Sequence, residues 1–268
     1  MQPAPALQQS ELFNTALLRL GQPVRRLSVG AQSCYVLSRF GLSLASRPPE
    51  GAAHYEALAR NKVWLINAES PHPALRAAGY RQIVSPASWA RLALEGDSAA
   101  LRRAMHPKWR HSLARFEAGL PAQSRIHHRS FDLQRDGWVL EAEEAQARAR
   151  RYRGYPAALT AAMAAIAPRA LHMLTLSQDG APQAAMLFVQ HGACASYHIG
   201  HTTPRGRALG AHWLLLWRAM QGLAAEGVRC LDLGLVDSES GQDRARFKLG
   251  AGAQAMPLGG TWLRRLLP

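Results

Sequence analysis

The sequence has 268 residues, of which 48% are hydrophobic and 19% are charged, a balance that is typical of a folded globular protein and excludes a disordered one. Its net charge of +14 favours anionic partners such as nucleotides, RNA or membrane phosphates, although arginines scattered over a solvated surface would give the same value. No apolar run approaches the roughly 18 residues that a membrane-spanning helix needs. The beginning of the chain contains Glu11 and Arg19 and lacks the apolar block of a secretory signal.

Cysteine and histidine spacing gives no sign of a disulfide or a metal. Cys34, Cys194 and Cys230 each lie alone in an apolar, strand-like stretch, which is typical of a protein in a reducing compartment. His127 and His128 are neighbours on a predicted strand and therefore face opposite sides of it. We accordingly expect buried thiols, no metal site and a cytoplasmic location.

The first half of the chain predicts a hairpin followed by alternating helices and strands. Its predicted elements are strands at 33–40 and 41–49, a helix at 54–61, a strand at 63–69, a helix at 74–80 and an extended segment at 81–86. Ser88 or Asp97 is the expected cap of the helices that follow, and a helix beginning near Pro107 is expected to end at Gly119.

The second half repeats the order of hairpin, helix, strand and helix. Its predicted elements are a strand at 125–133, helices at 141–153 and 158–168, three strands within 171–200, a helix at about 208–226, a strand at 228–235, a short helix at 241–250 and a strand at 259–265. In the long helix, large apolar residues recur at helical spacing and predict one face packed against a core. They are Trp213, Leu216, Trp217, Met220 and Leu223.

A turn rich in arginine and glycine joins the third of these strands to the long helix. A strand that runs through such a turn into a helix directs several N–H groups and the positive end of the helix dipole at one point. Arg205 and Arg207 flank that point. The pattern predicts a site for a phosphate-bearing ligand, with an ordinary turn carrying a solvated arginine as the alternative.

Three segments resemble the Fem-like branch of the GNAT acyltransferase superfamily, which is related to the enzymes that add amino acids to peptidoglycan bridges. They are RALGAHWLLLWRAMQGLAAEGVRCLDLG at 207–234, RFKLG at 246–250, and MHPKWRHSLARFEAGL at 105–120 with Lys108, Arg110, Leu113, Gly119 and Leu120 in the branch's pattern. The resemblance implies an α/β (α+β) fold of two GNAT-like lobes, each a mixed, largely antiparallel sheet flanked by helices. The degenerate N-terminal lobe with its linking helices is expected at 1–120 and the acyltransferase lobe at 121–268.

The resemblance also implies an acyl donor, acetyl-CoA or another acyl-CoA. In GNAT proteins the strand before the phosphate loop splays from its neighbour, and the freed main-chain groups pair with the donor's amide arm. That strand corresponds to Ala195–Gly200, where a main-chain N–H of residues 197–199, including His198 and Ile199, is the expected oxyanion donor. The phosphates are expected at the N–H groups of Arg205, Gly206, Arg207 and Gly210. The pattern Q/R-x-x-G-x-G/A is met at Arg207 and Gly210 but has His212 in its last position.

Four side chains are the candidate catalytic groups. Lys248 lies in the FK element that contacts donor or acceptor in the resembled branch, and a surface lysine is the alternative. Asp232 points away from the face of its neighbours Leu231 and Leu233, so that it either orients or deprotonates an amine or caps a loop. Asp237, just past that strand, is a similar candidate. Tyr197 is an acid or a positioning group, or a tyrosine of the core.

The favoured function is an acyl-CoA-dependent N-acyltransferase in which an amine acceptor attacks the donor directly in a ternary complex. A second possibility is a transferase that takes its acyl group from aminoacyl-tRNA and extends a cell-wall or lipid precursor. The sequence lacks the sustained heptads of the helical arm that such enzymes use for transfer RNA. A third is a catalytically silent GNAT-like module that binds a phosphorylated ligand. The acceptor and the oligomeric state stay open.

Overall fold

The computed structural model describes residues 5–236 and 241–265. In chain order its helices and strands are α1 (Glu11–Arg19), β1 (Val24–Val29), β2 (Gln32–Arg39), β3 (Leu42–Ser46), α2 (Ala52–Arg60), β4 (Leu65–Ala68), α3 (Ala74–Ala77), β5 (Tyr80–Val84), β6 (Ser88–Ala93), α4 (Ser98–Ala104), α5 (Pro107–Ala118), β7 (Ser124–Ser130), α6 (Leu133–Asp136), α7 (Trp138–Arg150), α8 (Ala157–Ile166), β8 (Leu171–Gln178), β9 (Ala181–His191), β10 (Cys194–Thr202), α9 (Pro204–Ala208), α10 (Ala211–Ala225), β11 (Cys230–Val236), α11 (Gln242–Gly250), β12 (Gln254–Pro257) and β13 (Gly260–Arg264). None of these described helices is long and apolar enough to cross a membrane.

The chain divides into two compact units. One comprises the described residues up to Trp89 and those from Ala255 onward, and the other comprises Ala90–Gln254. This division differs from the predicted boundary near residue 120, because the apolar side chains of α4 and α5 pack into the core of the second unit rather than linking two lobes. Leu101, Trp109 and Leu113 are buried there.

The first unit contains a mixed sheet with the described strand order β1-β2-β3-β4-β13-β5. The predicted hairpin is confirmed, since β2 and β3 pair antiparallel on either side of Gly41, whose φ is 76°. Strand β13 was expected in the sheet of the second half. It instead pairs antiparallel with both β4 and β5, where it buries Trp262 in the core of the first unit.

The second sheet has the described strand order β12-β6-β11-β10-β9-β8-β7. Long helix α10 packs against it, and the predicted stripe of Leu216, Trp217, Met220 and Leu223 is buried. Leu214 and Leu215, outside that stripe, are buried as well, and α5 also contacts α10. Burial on more than one side makes α10 a central helix.

Several local signals are confirmed. Asp97 caps α4 by accepting from the N–H of Ala100 at 2.7 Å, Pro107 begins α5, and Gly119 ends it. The prediction of Ser88 as a helix cap was wrong. Ser88 begins β6, a strand that the sequence pattern missed.

Strands β10 and β11 diverge, and this feature positions the candidate site. Their parallel pairing covers Cys194 to Ser196 opposite Cys230 to Asp232. Strand β10 continues to Thr202 while paired with β9, and a bulge interrupts that register between Tyr197 and Ile199. The expected splay of these two strands is therefore confirmed.

A disulfide joins Cys194 to Cys230 at the paired ends of these strands, with their Cα atoms 4.6 Å apart. The expectation of three isolated thiols was wrong for this pair. The two cysteines are 36 positions apart in the sequence, but the chain between them folds back and places them directly opposite each other. Cys34 is free and buried.

A thiol count tests this bond. Denaturing the protein without a reductant should expose one reactive thiol per chain, that of Cys34, whereas prior reduction should raise the count to the full three cysteines. Mass spectrometry of the alkylated protein gives both numbers. Three reactive thiols in the unreduced protein would contradict the bond.

Candidate active site

A cavity of about 420 Å³ lies in the second unit where β10 leaves β11. Four of the predicted site residues from β10 and the following turn line it, namely Tyr197, His198, Ile199 and Arg207, and so does Lys248 of α11. Side chains from α7 and the beginning of α10 complete the wall. The structure thus brings together five of the ten predicted site residues.

The charged side chains in the wall of this cavity are mainly basic. Arg150, Arg207, Arg244 and Lys248 contribute cations, and Glu143 contributes a carboxylate. The three arginines are exposed, and Lys248 is half-buried. The cations attract an anionic group of a ligand, whereas the carboxylate of Glu143 attracts a cationic group.

The amine of Lys248 has a strongly lowered pKa. Its Nζ donates a hydrogen bond to the main-chain oxygen of Leu235 on β11, at 2.8 Å. Burial, together with the positive charge of Arg244, lowers the pKa of Lys248 to about 8. The group therefore changes charge close to physiological pH, which an ordinary surface lysine does not.

Tyr197 presents its ring to the cavity and packs against Phe188, with ring centroids 5.6 Å apart. Burial raises the pKa of its hydroxyl, and the nearby Glu143 raises it further, so the group remains a protonated donor. A β-carbon at Gly200 would overlap this hydroxyl. The glycine is therefore what allows the ring to lie along the strand end.

His198 occupies the bulge of β10. Its Nε2 forms a hydrogen bond with Thr160 Oγ1 at 2.8 Å, and its ring stacks on Tyr155 at an interplanar angle of 18°. Burial lowers the pKa of His198 to about 4, so the imidazole is neutral at physiological pH. These contacts hold the ring of His198 in place at the bulge.

Asp232 is not part of the cavity wall. Leu233 lines the cavity, so Asp232 lies on the opposite face of β11. There its Oδ1 accepts from Arg91 Nε at 3.0 Å, and its side chain is 1% exposed. The prediction that it points away from its leucine neighbours was correct, but the cavity lies on the leucine side. Asp237 falls outside the described residues.

The predicted phosphate loop is a helical turn. The N–H of Gly206 donates to Thr203 Oγ1 at 3.0 Å, and those of Arg207, Leu209 and Gly210 donate to main-chain oxygens. These groups are consequently engaged within the protein, which corrects the expectation that they point together at a ligand. The turn closes on itself because Thr203 caps α9.

Three of the predicted binding residues lie outside the cavity wall. Arg205 is exposed and donates from Nε to Gln178 Oε1 at 3.0 Å. Gly206 is buried where a β-carbon would overlap the main-chain oxygen of Gln183, and one at Gly210 would overlap the ring of Phe116. The two glycines allow close packing of the turn, a role that the motif alone cannot distinguish from phosphate binding.

His212, in the position where the phosphate-loop pattern has glycine or alanine, also lines the cavity. Its Nε2 lies 3.2 Å from the main-chain oxygen of His201 on β10. Burial lowers the pKa of His212, which favours the neutral form of its ring. The departure from the pattern thus adds a side chain to the wall.

The sequence pattern missed the polar residues that α7 contributes. Glu143 Oε1 accepts from the hydroxyl of Tyr152 at 2.7 Å, and Gln146 Nε2 donates to that hydroxyl at 2.9 Å. Glu143, Gln146 and Arg150 recur at i, i+3 and i+7, one stripe of the helix. That spacing was available in the sequence, but an ordinary solvated helix face has it too.

The chain is similar to known proteins in its sequence and in its fold. A family model described as an acetyltransferase (GNAT) domain matches residues 102–249, more than half of the chain. No curated protein matches the chain.

Solved structures share the fold at low sequence identity. FemX is 11% identical, with a TM-score of 0.77, and the match covers 98% of this chain and 93% of that one. L-PGS from Bacillus licheniformis is 10% identical, with a TM-score of 0.58 and coverages of 98% and 94%. A tandem GNAT protein from the clavulanic acid biosynthesis pathway is 13% identical, with a TM-score of 0.54 and coverages of 97% and 89%.

The domain match and the two-lobe fold of mixed sheets define the chain as an acyltransferase. It belongs to the family of acetyltransferase (GNAT) domains, and its α+β fold of two GNAT-like lobes is as expected.

Proposed function

We propose that the chain is an N-acyltransferase that moves an acyl group from acyl-CoA to an amine acceptor by direct attack. The observation that carries this proposal is the basic cavity at the divergence of β10 and β11. Beyond Ser196 the edge of β10 that faces β11 is released from strand pairing, and the cavity gives a ligand access to Tyr197 through Gly200. Released main-chain groups suit the amide arm of the donor.

The donor's phosphates would be held by side chains. Because the N–H groups of the α9 turn are engaged within the protein, the fit of coenzyme A rests on the guanidinium groups of Arg150, Arg207 and Arg244. Arg207 Nη1 donates to the main-chain oxygen of Thr202 at 3.2 Å, which holds it beside the strand end. Guanidinium groups bind phosphate oxygens through strong, charge-assisted hydrogen bonds.

Acyl transfer then needs a polarised carbonyl and two proton movements. The amine nitrogen attacks the acyl carbon, a C–N bond forms, the bond from carbon to the donor sulfur breaks, and the amine loses one proton as the sulfur gains one. A main-chain N–H of residues 197–199, together with the ammonium of Lys248, stabilises the negative charge on the oxygen. Glu143 orients the amine and accepts the proton that the amine loses, and Tyr197 donates a proton to the leaving group and regains one from water.

A second donor, aminoacyl-tRNA, is favoured by one specific observation. The N–H groups of Gly206, Arg207 and Gly210 are engaged within the protein and are not offered to a pyrophosphate, whereas the arginine-rich mouth suits the phosphates of a nucleic acid end. In this case the breaking bond is that from the acyl carbon to a ribose oxygen. The acceptor chemistry at Lys248, Tyr197 and Glu143 is the same for both donors.

Ligand-dependent stability distinguishes the donors. If acyl-CoA is the donor, acetyl-CoA should raise the melting temperature in proportion to the logarithm of its concentration, and total transfer RNA should not. If aminoacyl-tRNA is the donor, transfer RNA should bind with an affinity that falls steeply as salt rises. Turnover with a panel of amines then separates an enzyme from a silent binding module. Binding of neither donor would contradict the proposal.

The charge of Arg207 should matter for donor binding. Arg207→Ala should weaken the binding of acetyl-CoA by about 1–3 kcal/mol, the range for a charge-assisted hydrogen bond, and should leave the melting temperature of the free protein unchanged. Titration calorimetry measures the difference. Arg205→Ala is the matched control, because Arg205 lies two residues away, is exposed and contacts Gln178 outside the cavity. An equal loss in both variants would mean that general charge attraction, and not Arg207, binds the donor.

A further inference from the structure

Two histidines and a glutamate meet at the other end of α10 from the cavity. His128 lies on β7, His172 on β8, and Glu226 immediately follows α10. One nitrogen of each histidine and one oxygen of the glutamate lie within 4.8 Å of one another. Sheet register explains the meeting, since Ser130 pairs with His172, and His128, two residues before Ser130, shares its face.

The distances within this group match those around a tetrahedral metal ion. His128 Nε2 lies 3.3 Å from His172 Nδ1, and His172 Nδ1 lies 3.7 Å from Glu226 Oε2. Bonds of about 2.0–2.1 Å from zinc to nitrogen or oxygen, at tetrahedral angles, separate the ligand atoms by roughly 3.3–3.4 Å. The three atoms therefore need little movement to share one cation.

A second layer of contacts orients His172 for binding. Its Nε2 lies 3.0 Å from Gln190 Oε1, and the amide nitrogen of Gln190 contacts the main-chain oxygen of Gly192 at 3.4 Å, which points the amide oxygen at the ring. His172 Nε2 thus carries the proton, and the lone pair of Nδ1 faces His128 and Glu226. Metal-binding histidines usually donate their other N–H in this way.

The surroundings also favour a cation. Glu226 adds a carboxylate to the C-terminal end of α10, where the helix dipole is already negative. A β-carbon at Gly222 would overlap the ring of His128, so the glycine makes room for this ring against α10.

We propose that His128, His172 and Glu226 bind a divalent transition-metal ion, with Zn²⁺ the best match, and that a water molecule takes the fourth position. Imidazole and carboxylate ligands suit Zn²⁺. The ion would join β7 and β8 to the end of α10. It lies about 20 Å along α10 from His212 and the cavity, so its role is structural and independent of the proposed acyl transfer.

Metal binding by the full-length, tag-free chain tests this proposal. After removal of metals by chelation, titration calorimetry with Zn²⁺ should give one site per chain. His128→Ala should abolish that site, and Gln190→Ala should weaken it about 10- to 100-fold, the usual cost of losing a second-layer partner. His127→Ala is the matched control, because His127 is exposed on the opposite face of β7, and it should bind as the wild type does.

Two further measurements keep the proposal falsifiable if His128→Ala fails to fold. Glu226 is half exposed, with 51% of its side chain accessible, so Glu226→Gln should fold normally and should bind Zn²⁺ at least tenfold more weakly. Substituted Co²⁺ should show the intense visible absorption of a four-coordinate ion. Equal losses in His127→Ala and His128→Ala, unchanged binding in Glu226→Gln, or no binding by the wild type would each overturn the site and leave a His128–His172 hydrogen bond in its place.

Discussion

Lys248→Met should lower turnover by about 10²–10³-fold, the cost of removing a group that stabilises an oxyanion. Methionine keeps the length of the side chain and loses its charge. The half-buried amine lies in the cavity wall and donates to the main-chain oxygen of Leu235, so the variant removes the charge and this hydrogen bond while it keeps most of the packing. Steady-state kinetics with the donor that binds should show the loss in kcat, with an unchanged melting temperature.

The pH dependence of turnover tests the charge of Lys248 directly. Because its pKa is lowered to about 8 from an ordinary value of 10.5, the amine loses its proton as pH rises through 8. A reaction that needs the cation should therefore slow above about pH 8, and Lys248→Arg should move that decline to higher pH. A rate that rises through pH 8 would instead identify the neutral amine as a base.

Lys62→Met provides the matched control for Lys248→Met. Lys62 is exposed in the first unit, outside the cavity wall, so the control removes one lysine charge and should leave turnover unchanged. If Lys248→Met matches that control, the amine has no part in the reaction. The proposed oxyanion stabilisation would then rest on the main-chain N–H groups of residues 197–199.

Asp232→Ala should destabilise the protein by about 3 kcal/mol and leave turnover per folded molecule unchanged. Breaking a buried ion pair costs about 3–5 kcal/mol. The lower end applies because the side chain of Arg91 is 29% exposed and keeps its access to water. Urea unfolding measures the stability, and kinetics well below the unfolding transition measure turnover.

The control for this variant is Asp243→Ala. Asp243 is also paired with an arginine, Arg246, but both side chains are exposed, and such pairs contribute little to stability. The Asp243→Ala variant should therefore unfold at the same urea concentration as the wild type. Normal stability of Asp232→Ala together with lost turnover would show that Asp232 acts on the substrate amine after all.

Much of the fold was predictable because its signals are local. The helix from Pro107 to Gly119 has proline at its start and glycine at its end, and the burial of the α10 stripe follows from apolar residues three and four apart. The strands around the cavity were predicted from the resemblance to GNAT proteins, and the divergence of β10 from β11 agrees with that prediction. Lys248 and Arg207, which matched residues of that family, do line the cavity.

The remaining features depend on contacts between distant residues, which local patterns do not contain. The alternation along β11 assigned Asp232 and Leu233 to opposite faces, but only the packing decided which face meets the cavity. Arg205, Gly206 and Gly210 matched a phosphate-loop pattern, yet the cap at Thr203 closes the turn on itself.

Long-range pairing likewise brings Cys194 to Cys230 and His128 to His172. The composition and periodicity of the sequence by themselves determined most helices and most strands and indicated a basic protein suited to anionic ligands, although they missed α1 and α6. Tertiary structure alone decided which side chains share a cavity, a disulfide or a cluster of metal ligands, because these depend on sheet register and on the face that each element buries.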